Sequence, residues 1–201
     1  MIDVFTINWQ KNSDSLIPVI IQDADTAQVL MLGYMNSKAL EITLRTKIVT
    51  FYSRSKKRLW QKGETSGNKL NLVNIKLDCD CDALLVQVRP QGSTCHTGDR
   101  SCFSNDELAL ETIGLLIRTI SRKAIDGDNN SYTKNLLDGG QRAYGAKVLE
   151  EAQEIVSATN GEGKQRTTEE VADLIYHLFV LLKGEGIEME EVSEELRKRR
   201  K

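Results

Sequence analysis

No run of this chain approaches the ~20 consecutive apolar residues that a membrane-crossing helix needs. Neither sign of charge dominates, since 27 Lys and Arg against 29 Asp and Glu leave a net charge of -2. A global basic field for nucleic acid or for an anionic membrane is therefore excluded, and neither partner is expected. The one basic run, Arg197-Lys198-Arg199-Arg200-Lys201, reads as a solvated helix end, where cations suit the helix dipole. The first residues include Asp3, Asn8, Gln10, Lys11 and Asn12 and lack the basic start and apolar run of a secretory signal. Internal repeats and low-complexity segments are absent. Cysteine is missing after Cys102. In a reducing compartment such cysteines are more often metal-binding or reactive than disulfide-forming, and Cys79 and Cys81 flank a single residue, an awkward pair to bridge. A cytoplasmic location is expected.

What is present changes in texture near Ser104-Asn105. Before it, Leu16 to Gln22, Gln28 to Tyr34, Ile48 to Ser53, Leu70 to Leu77 and Ala83 to Arg89 read as strands. Asp23-Ala24-Asp25-Thr26 suits a hairpin connection, and Ser37 is placed to cap a helix over Lys38 to Lys47. Arg58 to Asn68 is polar, with Gly63 and Gly67, and reads as a functional loop. After Asn105 the period turns helical. Ile113, Leu116, Ile117 and Ile120 form one stripe, with Asp106 as its expected cap. Asp126 to Gly140 reads as a polar linker. A helix over Ala143 to Ala158 is expected to pack Val148, Ala152, Ile155 and Val156. The next is expected to start at Thr167 or Thr168, with a Thr167–Glu170 capping box, to bury Val171, Leu174, Ile175, Leu178 and Leu182, and to end at Gly184 and Gly186. A last helix holds Met189, Val192 and Leu196. The pattern predicts two separately folded domains: an α+β, β-rich domain over 1–104 and an all-α helical bundle over 105–201.

Chemistry concentrates first in Asp78-Cys79-Asp80-Cys81-Asp82, Cys95-His96-Thr97-Gly98 and Ser101-Cys102-Phe103. Thiolates favour zinc, and carboxylates favour a hard cation such as Mg²⁺. On an extended strand the alternation would put Asp78, Asp80 and Asp82 on one face and the cysteines on the other. Cys79, Cys95 and Cys102 make a three-thiolate set with room for water, whose pKa bound zinc lowers from 15.7 to about 7. Cys81 competes with Cys79 for that role, and a purely structural zinc fits the same spacing. The wide gap from Cys79 to Cys95 allows a site completed between subunits. His96 fits a general base, a donor to a ligand, or a plain surface histidine.

The second concentration is helical. Glu151 and Glu154 are three apart, as are Glu170 and Asp173, so each pair shares a face. Facing pairs form an oxygen cage suited to Mg²⁺, with Glu150 as a further oxygen. A solvated charged face is the competing reading. Asp173 and His177 stand among Val171, Leu174, Ile175, Leu178 and Phe179, which weighs against it.

The N-terminal motifs, with Trp60-Gln61-Lys62-Gly63-Glu64-Thr65-Ser66-Gly67-Asn68, resemble the phosphoribosyl-AMP cyclohydrolase family over residues 10 to 104. The resemblance implies Zn²⁺ on Cys79, Cys95 and Cys102, with Cys79 given by the dimer partner, and Mg²⁺ on Asp78, Asp80 and Asp82. It implies water addition at C6 of the N1-substituted adenine ring and opening of the C6–N1 bond. Lys62, Glu64, Ser66, Gly67 and Asn68 would hold phosphate and ribose, with Trp60 as a packing residue or a stacking wall. The second half resembles the phosphoribosyl-ATP pyrophosphohydrolase family, within the MazG-like nucleotide pyrophosphatases. The carriers are Ser131-Tyr132-Thr133, Lys147-Val148-Leu149-Glu150-Glu151-Ala152-Gln153-Glu154 and Glu169-Glu170-Val171-Ala172-Asp173-Leu174-Ile175-Tyr176-His177. Leu149 departs from the family's usual glycine. By resemblance Glu151, Glu154, Glu170 and Asp173 bind Mg²⁺ and carry catalysis, and Lys147, Lys134 and Arg142 are candidate phosphate contacts. Together the halves imply a homodimeric bifunctional hydrolase of histidine biosynthesis acting on phosphoribosyl-ATP and then phosphoribosyl-AMP. Two other classes compete. A zinc nucleobase deaminase would show H-x-E and P-C-x-x-C, and the chain has neither. A zinc-stabilised dimeric binding module would need no activity at all.

Overall fold

The computed structural model describes residues 6–103, 109–127 and 130–200. The expected junction Ser104-Asn105 and the expected cap Asp106 lie outside the described residues. The chain divides into two compact units, Met1–Gly114 and Leu115–Lys201.

The first unit is built on a four-stranded sheet. Its strands are β1 (Ile17–Asp23), β2 (Val29–Met35), β5 (Leu70–Leu77) and β6 (Leu84–Pro90), in the order β2-β1-β6-β5. β1 runs antiparallel to β2 and parallel to β6, and β5 runs antiparallel to β6. The alternation in the sequence explains the core. Ile17, Val19 and Ile21 of β1 and Leu84, Val86 and Val88 of β6 are buried on one face. Each such side chain adds roughly 1.5–3 kcal/mol of hydrophobic stabilisation. Asp23 accepts from Asp25 N–H at 3.0 Å through Oδ1, an Asx turn that starts the expected hairpin connection.

Helix α1 (Ser37–Thr46) covers that core with Ala39, Leu40 and Thr43. Its cap is Asn36, one residue before the expected Ser37, because the Asn36 carboxamide already accepts from Ala39 N–H at 2.9 Å. The segment expected as a loop from Arg58 contains a strand. β4 (Arg58–Gln61) pairs with β3 (Thr50–Ser53) in a two-stranded ribbon, with Trp60 opposite Phe51. Arg58 is exposed and the other three residues are half-buried, so the strand has no buried face to reveal it. Gly33 is fixed by Phe51: a Cβ there would stand 2.4 Å from the ring.

The second unit is helical: α2 (Ala109–Asp126, which starts before the division), α3 (Tyr132–Asp138), α4 (Gly140–Thr159), α5 (Lys164–Glu185) and α6 (Met189–Arg199). Ile120, Leu136, Tyr144 and Val180 form its core. The expected linker holds α3, started by Ser131, whose hydroxyl accepts from Lys134 N–H. α5 begins at Lys164, three or four residues earlier than expected, after Gly163, and has no side-chain cap. The Thr167–Glu170 box is not formed. Thr167 Oγ1 donates to Gly163 O instead, and the capping box belongs to Glu188 and Glu191 at α6. Gly186 is the C-cap of α5, whereas Gly184 lies inside the helix, where a Cβ would meet the Tyr144 ring at 2.7 Å.

The expected apolar faces of α4 and α5 are corrected. Ala152 is exposed, and Val156 is 62 % and Val171 and Leu178 each 39 % exposed, while Val148, Ile155, Leu174, Ile175 and Leu182 are half-buried. The buried residues are Tyr144, Glu151 and Ala158 on α4 and Glu170, His177 and Val180 on α5. Where these two helices meet, carboxylates and an imidazole point inward.

Candidate active sites

The acidic stretch of the first unit is a turn, not an extended strand. β5 stops at Leu77, and the Asp78 carboxylate folds back to accept from Asp82 N–H and Ala83 N–H, each at 3.0 Å. Cys81 turns the chain at φ 64, a left-handed conformation. The face-to-face alternation expected for Asp78 to Asp82 is therefore absent. The turn nevertheless gathers ligand oxygens of Asp78, Asp80 and Asp82 within 4.8 Å of one another. Asn8 N–H docks on Cys81 O at 2.7 Å, which brings in Lys11. Its ammonium stands 2.5 Å from both Asp80 and Asp82, and its pKa is raised, by the hydrogen bond to Asp80 first and then by that to Asp82. A cation already stands among these oxygens, so the donor set fits a hard divalent ion.

Cys95 and Cys102 come together on a second segment, close enough for each thiol to act on the other. Cys102 is indexed to the sheet: its N–H donates to Leu30 O at 2.7 Å, and Ser101 Oγ donates to Val29 O at 2.8 Å. Cys95 opens a tight loop closed by its N–H to Asp99 O at 3.0 Å. The Thr97 hydroxyl, its backbone and the Cys102 thiol hold the Cys95 pKa below the ordinary thiol value. Desolvation by its neighbours and then the Cys95 thiol push the Cys102 pKa up, and the Lys62 ammonium pulls it back. Two neighbouring thiols, one of them more acidic than usual, suit a thiophilic metal. Cys79 is exposed and forms no three-ligand group with Cys95 and Cys102 among the described residues of one chain. His96 is exposed, its Nδ1 3.7 Å from Cys95 Sγ.

The loop after β4 closes in on this cysteine pair. Lys62 N–H bonds to Val49 O at 3.1 Å, and its ammonium is the charge that acts on Cys102. Gly63, at φ 84, lets Asn68 and Lys69 pass: a Cβ would stand 2.6 Å from the Asn68 carbonyl carbon. Gly67, at φ 78, donates its N–H to Gly63 O, and Ser66 Oγ accepts from Asn68 N–H. Glu64 is held by Arg58 Nη2 at 2.6 Å, which lowers its pKa. Trp60 is half-buried and stacks on Phe51 at 5.0 Å, so its inner face is packing.

In the second unit α4 and α5 bring ligand oxygens of Glu151, Glu154 and Glu170 within 4.8 Å. Glu170 is 1 % exposed and its Oε1 accepts no hydrogen bond, although Arg166 Nη2 lies against it. Burial, then a hydrogen bond to Glu154, pushes the Glu170 pKa up. A buried carboxylate oxygen with no aligned donor fits a cation, which imposes little angular demand. Asp173 is exposed and outside the three-carboxylate group. His177 is buried, with Nε2 3.5 Å from Glu151 Oε1 and Nδ1 unbonded. Desolvation pushes its pKa down, so it stays neutral at pH 7. Tyr132 and Tyr176 flank its ring edge-on. Lys147 pairs with Glu150 at 2.8 Å and Glu151 at 3.5 Å. Lys134 donates to Gly127 O at 3.0 Å, and Arg142 is exposed.

Two cations were missed by sequence reasoning. Arg166 carried a signal, since it stands four residues before Glu170 on one helix face. Lys11 carried none, being 69 residues from Asp80.

Residues 31–104 match the phosphoribosyl-AMP cyclohydrolase family, and residues 114–200 match the phosphoribosyl-ATP pyrophosphohydrolase family. The chain is 48% identical over 202 residues to the histidine biosynthesis bifunctional protein HisIE of Photobacterium profundum, covering 98% of this chain and 97% of that one. Its likeness to HisIE of Xylella fastidiosa is 49% over 183 residues, covering 91% and 87%. For HisIE of Pasteurella multocida it is 48% over 198 residues, covering 96% and 98%. These matches decide against the deaminase and against a binding module without activity. The chain belongs to the bifunctional histidine-biosynthesis family, in which a phosphoribosyl-AMP cyclohydrolase is joined to a phosphoribosyl-ATP pyrophosphohydrolase.

Proposed function

We propose that the two hydrolyses run at separate metal centres, one in each half. The functional boundary falls at residue 104, with the cyclohydrolase over 1–104 and a MazG-like pyrophosphohydrolase over 105–201. In the first half Cys95 and Cys102 hold Zn²⁺ with Cys79 of the partner subunit, and Asp78, Asp80 and Asp82 hold Mg²⁺. In the second half Glu151, Glu154, Glu170 and Asp173 hold Mg²⁺. When bound, zinc supplies a nucleophilic water at neutral pH, and magnesium neutralises and orients phosphate oxygens. The enzyme acts in the cytoplasm as a homodimer.

The observation that carries the helical half is the buried Glu170 oxygen left without a hydrogen bond inside a three-carboxylate group. The neighbouring Cys95 and Cys102 thiols, with the Lys62 ammonium acting on Cys102, support the cyclohydrolase centre. Sharing between subunits is supported by the exposed Cys79, which stands outside that pair. Dimer formation is supported by exposed apolar side chains that adjoin on the sheet, Ile20 at 39 % and its cross-strand partner Leu32 at 47 %.

The chain's own residues have defined tasks in this reading. Lys62, Ser66, Gly67 and Asn68 bind phosphate and ribose at the loop beside the thiols. Glu64, fixed by Arg58, shapes that loop. Trp60 walls the ring with the edge that Phe51 does not cover. His96, next to Cys95, moves the proton as ring opening proceeds. Lys147 meets the triphosphate, and Asp173 shares the helix face of Glu170 three residues on. Paired variants test the separation. Cys102→Ala is expected to lose zinc and ring opening while keeping pyrophosphate release. Glu170→Gln is expected to cut pyrophosphate release by about 10²–10³-fold and to spare ring opening of supplied phosphoribosyl-AMP. Equal loss of both activities in either variant would overturn separate centres.

A further inference from the structure

Arg166 has four carboxylates and, so far, no task. On the inner side Nη2 lies against Glu170 Oε1 and 3.5 Å from Glu154 Oε2. On the outer side Nη1 is 3.6 Å from Glu169 and Nε is 3.8 Å from Glu162. One of the four differs in depth. The Glu170 side chain is 1 % exposed, whereas Glu154, Glu169 and Glu162 are 44 %, 48 % and 55 % exposed, and Arg166 itself is 47 % exposed. A carboxylate as deep as Glu170 needs a counter-charge. The guanidinium supplies charge, but its planar fork leaves Oε1 without an aligned hydrogen bond, and His177 Nδ1 is likewise buried and unbonded. The inner pair is thus neutralised and still poorly coordinated. A guanidinium and a dication do not share that pair, because both would compete for the same Glu170 oxygen and two like charges within a few ångströms repel.

We propose that Arg166 is the resident counter-ion of the helical carboxylate cage and exchanges with the divalent cation. The cation takes the inner pair, Glu154 and Glu170. The guanidinium withdraws about one side-chain rotation to the outer pair, Glu162 and Glu169, and stays at the rim. Arg166 therefore sets how tightly the cage takes up metal. It also keeps the cluster folded before metal arrives. This rests on the cage being the cation site, so the test separates the two ideas.

The full-length protein, stripped of metal, is titrated with Mg²⁺ by calorimetry, and the heat that Glu170→Gln abolishes is assigned to the cage. In parallel, the Arg166 Nε–H resonance, identified by its loss in Arg166→Gln, is followed by ¹⁵N NMR. The expected result is that this resonance moves to the position of a solvated guanidinium with the midpoint of that heat. Arg166→Gln, folded by circular dichroism, then binds Mg²⁺ about fivefold more tightly than the wild type. A purely structural arginine would give weaker binding on removal, the opposite sign. A resonance unmoved at saturating Mg²⁺, or affinity unchanged or weakened in Arg166→Gln, overturns the exchange. If Glu170→Gln abolishes no heat at all, the cage itself is not the cation site and both ideas fall.

Discussion

The two acidic clusters contain the same kind of ligand and are made in opposite ways. Asp78, Asp80 and Asp82 lie within five residues on a solvent-facing turn, drawn together by two backbone N–H groups and one left-handed residue. Glu151, Glu154 and Glu170 come from two long helices and are gathered only when those helices pack. Each cluster holds a cation of its own chain, Lys11 in the first and Arg166 in the second. The difference is one of dielectric. Water screens the turn and lets its carboxylates stay apart in energy. The helical cage buries two of its three carboxylates, Glu151 and Glu170, and that burial raises the Glu170 pKa and makes a missing charge there costly.

The contrast can be broken by removing one charge from each cluster. Glu154→Gln in the helical cage is expected to lower pyrophosphate release by on the order of 10²-fold or more, measured as product per turnover at saturating Mg²⁺. Asp80→Asn in the turn is expected to cost ring opening less, about tenfold, and to be largely rescued by raising Mg²⁺. An equal loss at the two places, with no rescue at the turn, would erase the distinction between a screened and a buried cluster. The smallest effect is on acid stability. Glu170 is held above its ordinary 4.5 by burial, so the metal-free folded state keeps the proton longer than the unfolded chain does. That contribution is fully present below 4.5 and is lost as pH rises through the folded value. The urea midpoint of chelated protein, read by far-UV circular dichroism, should carry a downward component over that range. Glu170→Gln should remove it, and a slope identical in the variant would show that burial is not felt.

The same contrast explains what could be read from the chain. β1 and β6 were legible because a buried face alternates with a partly exposed one, and Ile17, Val19, Ile21, Leu84, Val86 and Val88 obey the period. The Asp-Cys alternation has that period too, yet no core demands it, and the Asp78 carboxylate captures the backbone first. A local polar bond outweighed a pattern with no burial behind it. α3 was hidden by its shortness and polarity, and β4 by exposed Arg58 and an edge without a buried face. In the helical half the carboxylates were legible as i, i+3 pairs. Their depth was not, since hydrophobic periodicity puts Val156 and Leu178 inward and the helices put Glu151 and Glu170 there. Asp173 shares the face of Glu170 by spacing, while in one chain its side chain stands exposed and outside the three-carboxylate group.

The tie between Cys102 and the second strand has a bearing on how this half can vary. The thiol's height above the sheet is counted from Leu30 and Val29, so it inherits the register of the β1–β2 ladder. Deleting Ala27, between Thr26 and Gln28, would slide that ladder and shift the sulfur by about 3.3 Å relative to β1. The hairpin is a ruler for the metal centre: its turn is remote from the chemistry, but its length is not free.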